Sequence, residues 1–454
     1  MSEVRSASVP LYDVEDDLAT RKAAFTGGAV PVAVYGLGKM GLPLAAVYAD
    51  VSGHVTGVDV DPNVVERINA GGCPVEGEPG LPELVDRLVA EGALRATEDG
   101  AAAADDARLH VVIVPTLVED DKPDLSALEA AVRTVGVGLD SGDMVVVEST
   151  VPPRTCRDRV MPWLEAESQL EVGDYGLAFC PERTMSGRAL TDIRGAHPKV
   201  VGGADESSRK TAELVYECLT DAEVIPVDDA TTAECVKVFE GVYRDVNIAL
   251  ANELARMADD LGVDVTDAIE TANTQPFCDI HSPGPGVGGH CIPYYPHFLI
   301  AESDSATPLL ETARSVNDGM PAFTVERLSE ELEAAGRSLG DSTVLVLGLT
   351  YRAGVDEVRA SPGIAITSIL ADRAGNVYAA DPVCTSPPPE EVTQVSVDAV
   401  PDLDPDAVVL ATAHEAFLDL PARSFEDAVV VDGRRVLDVE EPARSVYAIG
   451  DGSD

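Results

Sequence analysis

The sequence predicts two doubly wound α/β domains joined by a long central helix and a helical middle domain, and three observations carry that expectation. Short apolar runs alternate with helical patterns in both halves of the chain, as they do where helices cover a parallel sheet on both faces. Between the halves, apolar residues recur at steps of three and four from Thr231 to Leu261, the period of a helix. Each α/β stretch also opens with a strand that runs directly into glycine.

The 454 residues suffice for two to four domains at roughly 100–200 residues each. Residues 1–29 read as a flexible arm, acidic at Glu15, Asp16 and Asp17. Residues 30–226 read as the first α/β domain, with strands at Val32–Tyr35, His54–Val60, Leu109–Val114, Met144–Glu148 and Leu177–Phe179. Residues 227–335 read as the helical middle. Its long helix opens on Thr231 and Glu234, spaced as a capping box, and stops at Gly262. Val236, Phe239, Val242, Val246, Leu250, Leu254, Met257 and Leu261 share one face of it, which suits a domain connector or a dimer spine. The stretch 276–297 is rich in Pro and Gly and reads as loop, and a further helix spans about 308–336. Residues 336–454 read as the second α/β domain, with strands at Thr343–Gly348, Asn376–Ala380, Ala407–Ala411 and Ala428–Val431.

Composition excludes several function classes. Lys and Arg total 32 against 80 Asp and Glu, a formal net charge of −48. A phosphate backbone is drawn to clustered cations, so no nucleic acid is expected as partner, and an anionic membrane surface is disfavoured for the same reason. Hydrophobic residues still make up 45% of the chain, enough for sizeable cores. Only 6 of the 32 cations are Lys. Such an acidic, lysine-poor composition suits a high-salt cytoplasm, where ions screen self-repulsion. No membrane span is expected, because no apolar run reaches about 18 residues. The N-terminus has no basic stretch followed by an apolar one, so no secretory leader is expected. The eight cysteines are scattered and form no CxxC pair, which fits reduced thiols and a cytoplasmic location.

Gly36-Leu37-Gly38-Lys39-Met40-Gly41 follows the first strand and precedes a helical run from Leu42 to Tyr48. Glycines there permit a tight turn and close approach to a pyrophosphate, and the helix N-terminus favours the anion. Asp59 ends the next strand, 23 residues after Gly36, where a carboxylate suits the ribose hydroxyls of adenosine. It would repel the extra phosphate of NADP, so NAD is the expected cofactor and the domain is Rossmann-like. The plainer alternative is a glycine turn that binds nothing.

The loop from Pro283 to Cys291 has four glycines within residues 284–289, which leaves amides available to an anionic or sugar ligand. Cys291 is then either a small buried hydrophobe or a nucleophile. His281, His290, Cys291 and His297 match no closed zinc spacing, so no metal is expected. On the long helix, Lys237, Gly241, Arg244 and Ile248 step by four, three and four, which puts Lys237 and Arg244 on one face. Lys237 is either part of a solvated basic edge or a desolvated amine suited to proton transfer. Glu182, in Phe179-Cys180-Pro181-Glu182-Arg183, and Thr150, in Ser149-Thr150-Val151-Pro152-Pro153, each lie just past a strand end, at the crevice of such a sheet. A salt-bridged surface carboxylate is the plainer reading of Glu182.

In order along the chain, these strings resemble the UDP-sugar 6-dehydrogenase family, and its UDP-N-acetyl-mannosamine branch above all. They are Gly36–Pro43, Val114-Pro115-Thr116, Glu148–Pro152, Pro181-Glu182-Arg183, Arg244–Leu254, Gly284–Cys291, Ala313–Asp318 and Asp356–Pro362. The resemblance implies an NAD domain, a helical middle carrying a homodimer or larger contact, and a C-terminal domain that grips UDP. It also implies a four-electron oxidation of the sugar C6 hydroxyl, through a thiohemiacetal and a thioester on Cys291. Lys237 handles the alcohol proton or the oxyanion, and Glu182 and Thr150 orient water and the C6 oxygen. Position by position, Gly36, Gly38, Lys39, Met40, Gly41, Asp59, Thr116, Thr150 and Arg359 match cofactor-contacting sites. Arg183, Thr184, Lys237, Arg244, Gly288, Tyr351, Arg352 and Arg434 match sites near the UDP-sugar, where guanidinium forks suit a diphosphate.

Four positions depart from the pattern. Gly241 stands where many relatives have Asn, and Tyr295 where many have Asp. Gln275 and Phe277 stand where the mannosamine branch has His and Arg. Gly241 leaves room for a water, hands the lost hydrogen bond to the Tyr295 hydroxyl, or permits close helix packing. UDP-N-acetyl-glucosamine or UDP-glucose are the alternative substrates. A single-step NAD dehydrogenase or a non-enzymatic nucleotide-binding module would need neither Cys291 nor a second α/β domain.

Overall fold

The computed structural model describes residues 9–13, 17–439 and 443–452. The chain forms two compact units: residues up to Phe239 with His297–Glu302, and Glu240–Pro296 with Ser303 onward.

The first unit is built on an eight-stranded sheet. Its strands are β1 (Val32–Tyr35), β2 (Val55–Val58), β3 (Leu94–Thr97), β4 (Leu109–Val112), β7 (Met144–Val147), β8 (Gly176–Phe179), β9 (Lys199–Gly203) and β10 (Val224–Pro226), in the order β10-β9-β8-β7-β4-β1-β2-β3. A small hairpin, β5 (Leu117–Glu119) and β6 (Lys122–Asp124), pairs apart from the sheet. All neighbours in the sheet are parallel except β8 and β9. Strands β1, β4, β7 and β8 are buried at every residue, because helices cover both faces and two apolar clusters fill the layers. The strand order reverses between β1 and β4. The crevice beyond their carboxyl ends is where such sheets bind ligands.

The second unit carries a six-stranded, all-parallel sheet: β11 (Thr343–Leu347), β12 (Asn376–Ala380), β13 (Thr393–Val395), β14 (Ala407–Leu410), β15 (Val429–Asp432) and β16 (Ser445–Ala448), ordered β13-β12-β11-β14-β15-β16. Two apolar clusters again flank it. Helix Pro308–Ala334 holds a buried Pro321 in its interior.

Several expectations change on contact with the structure. The described part of the expected N-terminal arm is ordered: Leu18–Thr26 is a helix capped by Asp17, and Leu11, Tyr12 and Phe25 are buried in the first core. Glu15 and Asp16 lie outside the described residues. The long helix spans Ala230–Arg256 rather than reaching Leu261; it breaks at Met257, and a separate turn, Ala258–Leu261, ends on left-handed Gly262. Glu234 closes no capping box. Asp229 Oδ1 takes the Thr232 amide at 2.7 Å, and the buried Glu234 carboxylate accepts from the Arg154 and Cys156 amides at 2.5 and 2.7 Å. Burial pushes the Glu234 carboxyl up to about 7, against those two bonds.

Candidate active site

The glycine turn after β1 is fixed by close backbone contact. Gly36 has φ of 98° and donates to the Val58 carbonyl at 2.8 Å. A side chain there would collide with the Ile113 carbonyl, and one at Gly41 with the Gly36 carbonyl. At Gly38, by contrast, nothing lies within 4 Å of an added Cβ. Helix Gly41–Ser52 begins just past Gly38 with no side-chain cap; the Leu42 and Leu44 amides donate to the Gly38 and Met40 carbonyls and Pro43 has none, so the positive end of the helix dipole is what the turn offers an anion. Asp59 Oδ2 accepts from the Leu37 amide at 2.8 Å, which ties the carboxylate to the turn. Close-packed Gly36 and Gly41, open Gly38, an uncapped helix end and a carboxylate at the strand tip suit a dinucleotide such as NAD.

Around that turn the first unit gathers several predicted residues. The Thr184 hydroxyl donates to Met40 Sδ at 3.0 Å, so a position read as sugar-binding touches one read as cofactor-binding. Thr116 Oγ1 donates to the Thr150 carbonyl at 2.6 Å, and Ser149 Oγ bonds both the amide and the carbonyl of Val114 at 2.8 Å. These bonds join the ends of β4 and β7 at the crevice. Arg183 donates to the Pro198 carbonyl at 2.8 Å. Glu182 is buried and its Oε1 has no hydrogen-bond partner among the described residues, so the surface salt bridge is not its role. Lys39 is exposed, and Lys237 is partly buried beside buried Val238.

In the second unit the glycine loop carries Cys291, which is exposed, so the buried-hydrophobe reading does not hold. The loop is braced at both ends. Gly284 donates to Asn252 Oδ1 at 2.9 Å; Asn252 donates to Asn317 at 2.9 Å, Asn317 to Asp245 Oδ1 at 2.9 Å, and Arg314 to the same oxygen at 2.5 Å. This buried chain bolts the loop to the two long helices. Nearer Cys291, Gly289 donates to the Arg359 carbonyl at 2.9 Å, and His290 Nε2 lies 2.7 Å from Glu357 Oε2. An added Cβ at Gly288 or Gly289 would come within 2.7 or 2.8 Å of Tyr351, so these glycines are required for the ring to lie along the loop. Arg434 packs on Gly284 and donates to the Ala411 carbonyl at 2.9 Å. Arg352 is partly buried and Arg244 exposed.

The other histidines of the loop find different partners. The His281 ring meets Tyr243 edge-on at 5.9 Å, and His297 lies 3.6 Å from Asp121. Among the described residues no group of His, Cys, Asp or Glu could hold a metal, and no helix is long and apolar enough to cross a membrane. The brace residues Asn252, Asn317, Asp245, Arg314 and Glu357 were missed as site residues. The matched strings contain all five, but a buried hydrogen-bond chain has no periodic signature.

Over residues 30–220, 231–319 and 345–439 the chain matches, in turn, the NAD binding, central and UDP binding domains of the UDP-glucose/GDP-mannose dehydrogenase family. It is 36% identical over 427 residues to a UDP-N-acetyl-D-mannosamine dehydrogenase of Pyrococcus horikoshii, covering 93% of this chain and 99% of the relative. A solved UDP-D-ManNAc dehydrogenase from Pyrococcus horikoshii superposes with a TM-score of 0.85 at 35% identity, covering 93% of this chain and all of the other. A UDP-glucose dehydrogenase from Pyrobaculum islandicum superposes with a TM-score of 0.84 at 30% identity, covering 93% and 98%.

Proposed function

We propose that this chain, which belongs to the UDP-glucose/GDP-mannose dehydrogenase family and is an NAD-dependent UDP-sugar oxidoreductase, oxidises UDP-N-acetyl-D-mannosamine at C6 to the uronate. The sugar assignment is supported by the 36%-identical relative of that activity. The observation that carries the chemistry is an exposed thiol, Cys291, ending a glycine loop that is hydrogen-bonded on both sides.

NAD, when bound, would supply the hydride acceptor for two successive oxidations, a second NAD replacing the first between them. Lys237 takes the C6 hydroxyl proton in the first, and its ammonium steadies the oxyanion that follows. The Cys291 thiolate adds to the aldehyde carbon, forming a C–S bond and a hemithioacetal whose remaining hydrogen can leave as hydride. The second oxidation leaves a thioester on Cys291. Glu182, with Thr150 orienting the C6 oxygen, takes a proton from water as the water oxygen bonds to the thioester carbon. The C–S bond breaks, its electron pair returns to Cys291, and the carboxylate departs. Lys39, Met40, Asp59, Thr116, Thr150 and Arg359 hold the cofactor beside Gly36, Gly38 and Gly41. Arg183, Thr184, Arg244, Gly288, Tyr351, Arg352 and Arg434 hold the UDP-sugar. A second reading, UDP-glucose as substrate, is favoured by the superposition on a UDP-glucose dehydrogenase.

The test is stoichiometric. With each UDP-sugar in molar KCl, two NADH form per uronate, fastest from UDP-N-acetyl-D-mannosamine. Cys291→Ala abolishes turnover and leaves NAD affinity unchanged. One NADH per turnover, with free aldehyde as product, removes Cys291 from the reaction.

A further inference from the structure

Beneath the crevice of the first unit lie two buried charged groups, Glu148 and Lys199, that the reaction just described does not use. Glu148 follows β7 and is fully buried. Its Oε1 accepts from the Tyr216 hydroxyl at 2.5 Å, and its Oε2 lies 3.8 Å from Lys199 Nζ. Lys199 opens β9 and is 4% exposed, with its ammonium 5.6 Å from the centre of the Tyr216 ring. Antiparallel β8 and β9 pair Ala178 with Gly203 and Phe179 with Gly202. That register, continued past β8, sets Lys199 opposite Glu182, and the Arg183 bond to the Pro198 carbonyl keeps the same step. Glu148 Oε2, Lys199 Nζ and Glu182 Oε1 all lack a hydrogen-bond partner among the described residues. Cys180, Tyr48 and Arg183 are the remaining titratable or charged groups near them.

A buried ion pair with unfilled hydrogen bonds is a poor stabilising device, since desolvation offsets the attraction. Charge counting suggests another use. One ammonium faces two buried carboxylates, so the trio is neutral only when one carboxylate carries a proton. We propose that Lys199 and Glu148 are positioning residues for Glu182: with Glu148 protonated, the Lys199 ammonium belongs to Glu182 and holds it ready for the hydrolytic water. When Glu148 ionises it competes for that ammonium, and hydrolysis of the thioester slows. Burial, opposed by Lys199 and Tyr216 and reinforced by Glu182, pushes the Glu148 carboxyl up to about 7. Burial opposes the charge on Lys199, but Glu148 beside it prevails and holds the ammonium above its ordinary range.

The inference rests on the thioester reading, and the experiment separates the two. The full-length enzyme is mixed with UDP-N-acetyl-D-mannosamine and NAD across pH 5.5–9, quenched, and weighed intact for an acyl adduct on Cys291 while NADH is followed. In the wild type the deacylation rate falls as pH rises through neutrality. Glu148→Gln, which cannot ionise, loses that fall. Tyr216→Phe removes a bond that favours ionised Glu148 and moves the fall to higher pH. Lys199→Met accumulates the adduct after a burst of two NADH and deacylates at least about tenfold more slowly, within the range for misplaced acid–base groups. Lys199→Arg restores most of the rate. A wild type that forms adduct while all three loss variants keep its deacylation rate and pH profile overturns the proposal and leaves the thioester standing. A wild type with no adduct and one NADH per turnover overturns both.

Discussion

At Gly241 the packing removes one of the three possibilities left by the sequence. Gly241 is buried on the long helix, and a Cβ there would run into the Tyr295 ring, itself 7% exposed. The space an Asn would fill is ring, so a substitute water has no room, and the ring can lie there only because residue 241 has no side chain. Gly241→Ala should therefore cost about 1–3 kcal/mol, the usual range for overpacking, and Gly241→Asn should be inactive. Combining Gly241→Ala with Tyr295→Ala relieves the clash, so thermal unfolding of the four proteins should show strong non-additivity. Additive losses would mean the two residues do not contend for one space. Single residues differ in legibility for a related reason. Asp59 and Cys291 stand at fixed offsets from glycine turns and were readable. Lys199 and Glu148 were not, because their pairing depends on where two strand ends meet in the sheet.

Among the secondary-structure elements, the strands read from sequence are the central ones. β1, β4, β7 and β8 are near-continuous apolar runs because both faces of the sheet are covered. The missed strands lie towards the edges and carry polar or glycine residues: β3 exposes Arg95, β9 has Lys199 and two glycines, and β13 and β16 are short and only partly buried. The long helix shows the opposite failure. Its apolar stripe was read correctly as a pattern, but within the chain the helix buries Ala233, Gly241, Asp245, Asn252 and Ala255 instead. Val236, Val242, Val246 and Leu254 of the stripe are partly buried, but other members and the neighbouring Tyr243 stay in solvent: Phe239 is 55% exposed, Tyr243 52%, Leu250 48% and Met257 41%. Steps of four, seven and seven put these residues on one face, and such a contiguous apolar stripe is uncommon on a monomer. A second copy of the chain, docking the same stripe on itself, is the expected cover. Leu250→Glu with Met257→Glu should shift the mass measured by light scattering towards the 47.5 kDa monomer. An unchanged oligomer mass would place the contact elsewhere.

Across the whole molecule, the arithmetic of charge governs stability. With 32 cations for 80 acids, the arginines are shared. Arg327 lies within 2.7 Å of Asp259 and 2.8 Å of Glu330, and Arg337 within 3.1 Å of Asp406 and 3.0 Å of Asp427. Each exposed pair contributes only about 0–1 kcal/mol, and the acids left over repel one another at every pH where they are ionised. Salt acts on both, but unequally. Contacts at hydrogen-bond distance lie inside the screening length, which falls from about 10 Å at 0.1 M to about 3 Å at 1 M, while repulsion among dispersed acids acts over the longer range. Added salt therefore removes more repulsion than attraction. The melting temperature, followed by circular dichroism, should rise steadily between about 0.5 and 2 M KCl, and structure or activity should be lost below a few tenths molar. KCl is the salt to use, because sulfate also strengthens apolar burial and would confound the reading. Full activity and an unchanged melting temperature after prolonged dialysis into dilute buffer would show that the surface tolerates its charge unaided, and would remove the high-salt reading of the composition.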